Sequence, residues 1–140
     1  AAPAPAPAAR AAPAAAAGGT ILVVDDEEIV RSSLRRALTR FGYRVLEAGD
    51  GGTALAALQG ADPPVDLVIL DLVLPGGGAA IFELLKAVRP DLKVLVSSGY
   101  SPDEENARAL AAKADGFLPK PYEIAELKRA VAQALGRAAA

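Results

Sequence analysis

Ile21-Leu22-Val23-Val24-Asp25-Asp26 runs four large apolar residues together and closes on two acids. A strand with one wet face alternates apolar and polar side chains, whereas an unbroken apolar run suits a strand covered on both faces, as in a parallel sheet. The pattern outward from this run agrees. Val30, Leu34, Ala37, Leu38 and Phe41 recur at helical spacing, and Gly42 stands where a C′ glycine stops a helix. Residues 44–48 read as a second strand, followed by Gly-rich turn chemistry and a small helix around Ala54, Ala57 and Leu58. Residues 65–70 read as a third strand, 80–88 as a helix stopped by Pro90, and 93–97 as a fourth strand. Ser101-Pro102-Asp103-Glu104 opens the next helix with a capping box, a hydroxyl for the N3 amide, Pro at N1 and a carboxylate reaching back. Residues 116–118 make a short fifth strand, and Ile124, Leu127, Val131 and Leu135 stripe a final helix. The fold class is α/β, a (βα)5 chain whose strict alternation implies a parallel five-stranded sheet between two helical layers. No repeat of about 20 to 50 residues is visible, which argues against a solenoid.

Composition narrows the chemistry. The 140 residues carry 15 Lys+Arg against 17 Asp+Glu, a net charge of −2, and no His, Cys, Met or Trp. Without Cys or His there is no disulfide, thiolate site, imidazole ligand or triad-type base, so chemistry falls to carboxylates, hydroxyls and amines. The charge balance gives no basic footprint for nucleic acid, and no apolar run approaches the roughly 20 residues that span a bilayer. The expectation is a cytoplasmic domain with no direct membrane contact. Residues 1–19 hold twelve Ala, four Pro, two Gly and Arg10, with no large apolar side chain to bury. They are expected to be a disordered, semi-rigid linker. Residues 20–137 form one domain and 138–140 a tail. The missing Met predicts a piece of a longer protein.

In an open parallel sheet, ligands bind beyond the carboxyl ends of the strands, near the switch in strand order. Here those ends carry Asp25-Asp26, Asp71, Ser97-Ser98 and Lys120. Any one alone has a bland reading, as a helix cap, a satisfied hydroxyl or a solvated amine; their joint placement points to a site. Clustered carboxylates repel, so the group implies raised pKa values or a bound cation, and an all-oxygen set suits Mg²⁺ or Mn²⁺. Lys120 and Ser97 would face an anion held against that cation, which a phosphoryl group satisfies. Glu27 and Glu28 complement the dipole of the first helix.

Four stretches resemble the receiver (CheY-like) domains of bacterial two-component response regulators. They are Ile21-Leu22-Val23-Val24-Asp25-Asp26-Glu27, Val65-Asp66-Leu67-Val68-Ile69-Leu70-Asp71-Leu72-Val73-Leu74-Pro75-Gly76, Val94-Leu95-Val96-Ser97-Ser98-Gly99-Tyr100 and Gly116-Phe117-Leu118-Pro119-Lys120-Pro121-Tyr122. The resemblance implies a flavodoxin-like sheet of order 2-1-3-4-5. It implies Asp71 as phosphoacceptor, taking a phosphoryl group from a phosphohistidine on a histidine kinase or phosphotransfer domain. By the same analogy Asp26, Asp71 and the Val73 carbonyl bind Mg²⁺, Asp25 acts through water, and Lys120, Ser97 and the Ser98 and Val73 amides hold phosphoryl oxygens. Lys120-Pro121 is expected to be a cis peptide. Ser97 and Phe117 would switch the face made by the fourth helix, fifth strand and fifth helix.

The departures carry expectations of their own. Ser replaces the more usual Thr at position 97, which predicts a less sharply biased switch. Gly76-Gly77-Gly78-Ala79-Ala80 departs from the usual approach to the third helix and predicts a longer, mobile loop. Val73 and Gly99 offer no polar side chain to a hydrolytic water, which predicts slow self-dephosphorylation. Three other functions draw on the same kinds of residue. A haloacid-dehalogenase-like phosphatase also uses Asp, Ser or Thr, Lys and Mg²⁺, but places its nucleophile in an Asp-x-Asp after the first strand. A non-phosphorylated docking receiver stays open. A flavodoxin-like FMN carrier fails on charge, because the acidic loop after the first strand repels phosphate. A linker before the domain and little after it resembles the C-terminal receiver of a hybrid sensor histidine kinase.

Overall fold

The apolar runs become the inner strands of one sheet in a computed structural model that describes residues 19–61, 64–73, 77–98 and 113–136. In chain order the elements are β1 (Thr20–Val24), α1 (Glu28–Arg40), β2 (Arg44–Ala48), α2 (Gly51–Gly60), β3 (Leu67–Asp71), α3 (Gly78–Val88), β4 (Lys93–Ser98), β5 (Gly116–Pro119) and α4 (Ile124–Ala134). All strand pairs are parallel and the order is β2-β1-β3-β4-β5, as the resemblance implied. Helix α4 is the one the sequence numbers fifth. The capping box at 101–104, the loop at 74–76, Gly99, the linker up to residue 18 and the tail at 138–140 lie outside the described residues.

Alternation along each strand divides the core in two. Leu22, Val24, Val68, Leu70, Val94 and Val96 face α2 and α3 together with Leu58, Phe82 and Leu85. Ile21, Val23, Leu67, Ile69 and Leu95 face the other way, against Leu34 and Leu38 of α1 and Leu127 and Val131 of α4. Each inner strand thus buries both faces, which is why its apolar run is continuous. Helix α1 ends as expected, with Gly42 at φ 97° after the Phe41 C-cap. No helix among the described residues is long and apolar enough to cross a membrane.

Several boundaries differ from the sequence reading, β4 among them, which runs to Ser98 rather than stopping at residue 97. Strand β3 begins at Leu67 and runs through Asp71, whose register partner is Ser97. Strand β5 extends to Pro119. Helix α3 begins at Gly78 rather than at residue 80. Gly78 reads as loop by propensity, but it sits where a Cβ would lie 2.5 Å from the Leu72 Cα, so only glycine lets the helix start against the end of β3.

Candidate functional site

At the carboxyl edge the same alternation that buries Val23, Ile69 and Leu95 aims Asp25, Asp71 and Ser97 to one side of the sheet. Asp25, Asp71 and Ser97 are buried, at 2%, 4% and 2% exposure, whereas Asp26 is exposed. Carboxylate oxygens of Asp25, Asp26 and Asp71 all lie within 4.8 Å of one another. Lys120, reaching in from the end of β5, places Nζ 3.2 Å from Asp25 Oδ2 and 3.5 Å from Asp71 Oδ2. Among the described residues, three carboxylates therefore cluster beside one ammonium that pairs with two of them, and the excess negative charge suits a small hard cation with oxygen ligands.

The remaining polar atoms are distributed unevenly. The Glu27 amide donates to Asp25 Oδ1 at 2.9 Å, and the Val73 amide donates to Asp71 Oδ1 at 3.1 Å. The Val73 amide, expected to face a phosphoryl oxygen, is thus engaged by the carboxylate of Asp71 itself. Ser98 is buried, and its carbonyl accepts from the Lys120 amide at 2.9 Å; the Lys120–Pro121 bond that follows is cis. Ser97 Oγ is buried without a hydrogen-bond partner among the described residues. A buried hydroxyl left in that state costs about 1–3 kcal/mol, which a ligand oxygen in the site would recover. Phe117, register partner of Val96, is half-buried against the α2–α3 cluster.

Electrostatics follow from burial. Desolvation pushes the Asp71 carboxyl above its ordinary range, and the Val73 amide and the Lys120 ammonium offset this only in part. Burial alone would lower Lys120, but the Asp71 and Asp25 carboxylates outweigh it and hold the ammonium above its usual value. Burial likewise raises the Tyr122 phenol, opposed by Lys120. Tyr122 and Arg31 both bear on the site although neither stood out in the sequence. Arg31 Nη1 donates to the Asp25 carbonyl at 2.6 Å. The only sequence signal for it is a cation six positions after Asp25, on the first helix.

The model for the response regulator receiver domain matches residues 21–132. The chain belongs to that family. Among curated proteins this receiver domain is 41% identical over 108 residues to the response regulator MprA of Mycolicibacterium vanbaalenii, covering 76% of the chain and 46% of MprA. It is 40% identical over 118 residues to the sensor kinase CckA of Brucella abortus, covering 83% of the chain and 12% of CckA. The chain thus spans less than half the length of the curated relatives it matches. Among solved structures it aligns with the response regulator TrrA of Thermotoga maritima in complex with Mg²⁺-BeF, at TM-score 0.72 and 30% identity, covering 83% of this chain and 98% of that one. A receiver domain from Clostridium thermocellum aligns at TM-score 0.76 and 26% identity, covering 84% and 94%. The acidic cluster and the Mg²⁺-bound relative agree on divalent-cation binding as the chemistry of such a site.

Proposed function

We propose that this receiver domain takes a phosphoryl group onto Asp71 from a phosphohistidine on a histidine kinase or phosphotransfer domain. The observation that carries the reading is the unpartnered Ser97 hydroxyl, buried in register with Asp71 on a site whose other flank is Lys120. An Asp71 Oδ–P bond would form as the P–N bond breaks, the electron pair returning to the imidazole nitrogen. The phosphoryl oxygens then have two acceptor-seeking groups at hand, Lys120 Nζ and Ser97 Oγ. Asp25, Asp26, Asp71 and the Val73 carbonyl would hold Mg²⁺ or Mn²⁺; when bound, the cation supplies charge neutralisation for the equatorial oxygens of a loose transition state. Lys120 now bridges Asp25 and Asp71, so it keeps two buried carboxylates together until the anion arrives.

Phosphorylation adds about −1.5 to −2 charges. Ser97 moving toward it, with Phe117 following, would bias the face built on β5 and α4 toward one of two states. The working unit is residues 20–137, with 1–19 as linker and 138–140 as tail. The CckA match supports a place within a sensor kinase, which sequencing of the reading frame around this segment tests.

Incubation with acetyl phosphate and Mg²⁺ is the direct experiment. A one-phosphoryl mass gain that Asp71→Asn abolishes is expected. Steady release of inorganic phosphate from many phosphomonoesters would favour the phosphatase reading, and no gain at all would favour the docking one.

A further inference from the structure

We propose that Arg31 is a positioning residue for cation binding, fixing the Asp25–Asp26 peptide and with it the place of the Asp26 carboxylate. The inference rests on the acidic cluster being a cation site, as read above. Asp25 is held at each polar atom: its amide donates to the Ala48 carbonyl at 3.1 Å, Oδ1 accepts from the Glu27 amide, and Oδ2 faces Lys120. The fourth atom, the main-chain carbonyl, is taken by the Arg31 guanidinium at 2.6 Å, a short charge-assisted bond. Because the peptide unit is planar, holding that carbonyl sets the direction in which Asp26 leaves the strand. Asp26 is the exposed member of the cluster, so this peptide is what places it.

The guanidinium is itself confined. Its Nε lies 3.5 Å from Glu47 Oε1 on β2, and Arg35 approaches the other Glu47 oxygen at 3.6 Å. A Cβ at Gly49 would come within 3.2 Å of Arg31 Nη1, so glycine there leaves the guanidinium its room. Helix α1, strand β2 and the turn after it thus converge on one backbone carbonyl beside the cation site. Outer partners of this kind change metal affinity by about 10–100-fold when removed.

The sign of the effect separates positioning from simple charge. Arg31 is a cation near a cation site, so on charge alone its removal tightens binding; a loss of positioning weakens it. The test is Mn²⁺ titration of the full chain followed by electron paramagnetic resonance, with Mg²⁺ as competitor, alongside thermal unfolding in chelator. Arg31→Ala is expected to weaken Mn²⁺ binding about tenfold, and Arg31→Lys, which can still reach the carbonyl, to recover most of it. Equal or tighter binding in folded Arg31→Ala overturns the proposal. So does Arg31→Lys as weak as Arg31→Ala with affinity merely tracking lost stability. Should Arg31→Ala not fold, Glu47→Ala removes the acceptor that confines the guanidinium while leaving the guanidinium charged, and unchanged binding there is equally fatal. Wild-type chain that binds no Mn²⁺ refutes the cation site itself, a result distinct from a failure of Arg31.

Discussion

Asp71 is pulled in opposite directions, its proton favoured by burial and disfavoured by the Val73 amide and Lys120, and burial prevails. A carboxyl whose folded pKa exceeds its unfolded one binds protons that the unfolded chain releases, so stability falls as pH rises through that window. The penalty is complete above the folded value and absent below the ordinary 3.8. Asp71→Asn is therefore expected to raise the melting temperature in metal-free buffer at neutral pH, with the gain fading as pH is lowered into the carboxylate range; calorimetry across pH checks it. Ser97→Ala removes an unpartnered buried hydroxyl, so it should be neutral or stabilising by about 1 kcal/mol, yet slow labelling of Asp71 by acetyl phosphate. Denaturant midpoints and mass spectrometry read the two effects separately. Val73, exposed and apolar beside Asp71, offers no side-chain contact to an attacking water. A phosphoryl half-life well beyond seconds in Mg²⁺ is the expected consequence, followed by phosphate release.

Among the elements, α3 shows how a loop signal can open a helix. Gly78 would, with a Cβ, meet the Leu72 Cα at 2.5 Å and the Asp71 carbonyl at 2.9 Å, both backbone atoms that cannot swing aside. Gly78→Ala should cost about 1–3 kcal/mol of overpacking and displace the end of β3 at Asp71 and the turn that follows it, lowering both the urea midpoint and the labelling rate. At Gly116 the nearest atom to such a Cβ is the tip of Leu95, at 2.8 Å, so a substitution there can be relieved by a rotamer change. Helix α4 is closed by a reciprocal pair, Glu123 and Glu126, each side chain accepting from the other's backbone amide. Glu at the N-cap lies outside the usual Ser, Thr, Asp and Asn set, so residue type alone did not mark it. Asp50 at the start of α2 is the conventional case, accepting from the Thr53 amide at 2.7 Å; Asp50→Ala should lower the urea midpoint by removing that cap.

For the whole molecule, cation binding and folding are linked through the cluster. Three carboxylates and one ammonium drawn from the ends of β1, β3 and β5 meet only in the folded chain, so a cation that binds there stabilises by mass action. About 2.7 kcal/mol is expected when Mg²⁺ stands at a hundred times its Kd. The melting temperature should rise with MgCl₂ beyond the effect of NaCl at equal ionic strength, and Asp26→Ala should remove the difference.

Alternating apolar runs and helical stripes by themselves determined the α/β class, because burial on both faces of a strand leaves no polar residue in it to break the run. They also determined that Asp25, Asp26, Asp71, Ser97 and Lys120 share one edge, since the polar residues of such strands can stand only at the ends. Tertiary structure alone decided that Lys120 bridges Asp25 as well as Asp71, that Asp71 engages the Val73 amide, and that the Ser97 hydroxyl has no partner among the described residues. It alone brought Arg31 onto the Asp25 carbonyl and made Gly78 the start of α3. Each of these depends on ångström distances between separate elements, which residue type and spacing along the chain do not contain.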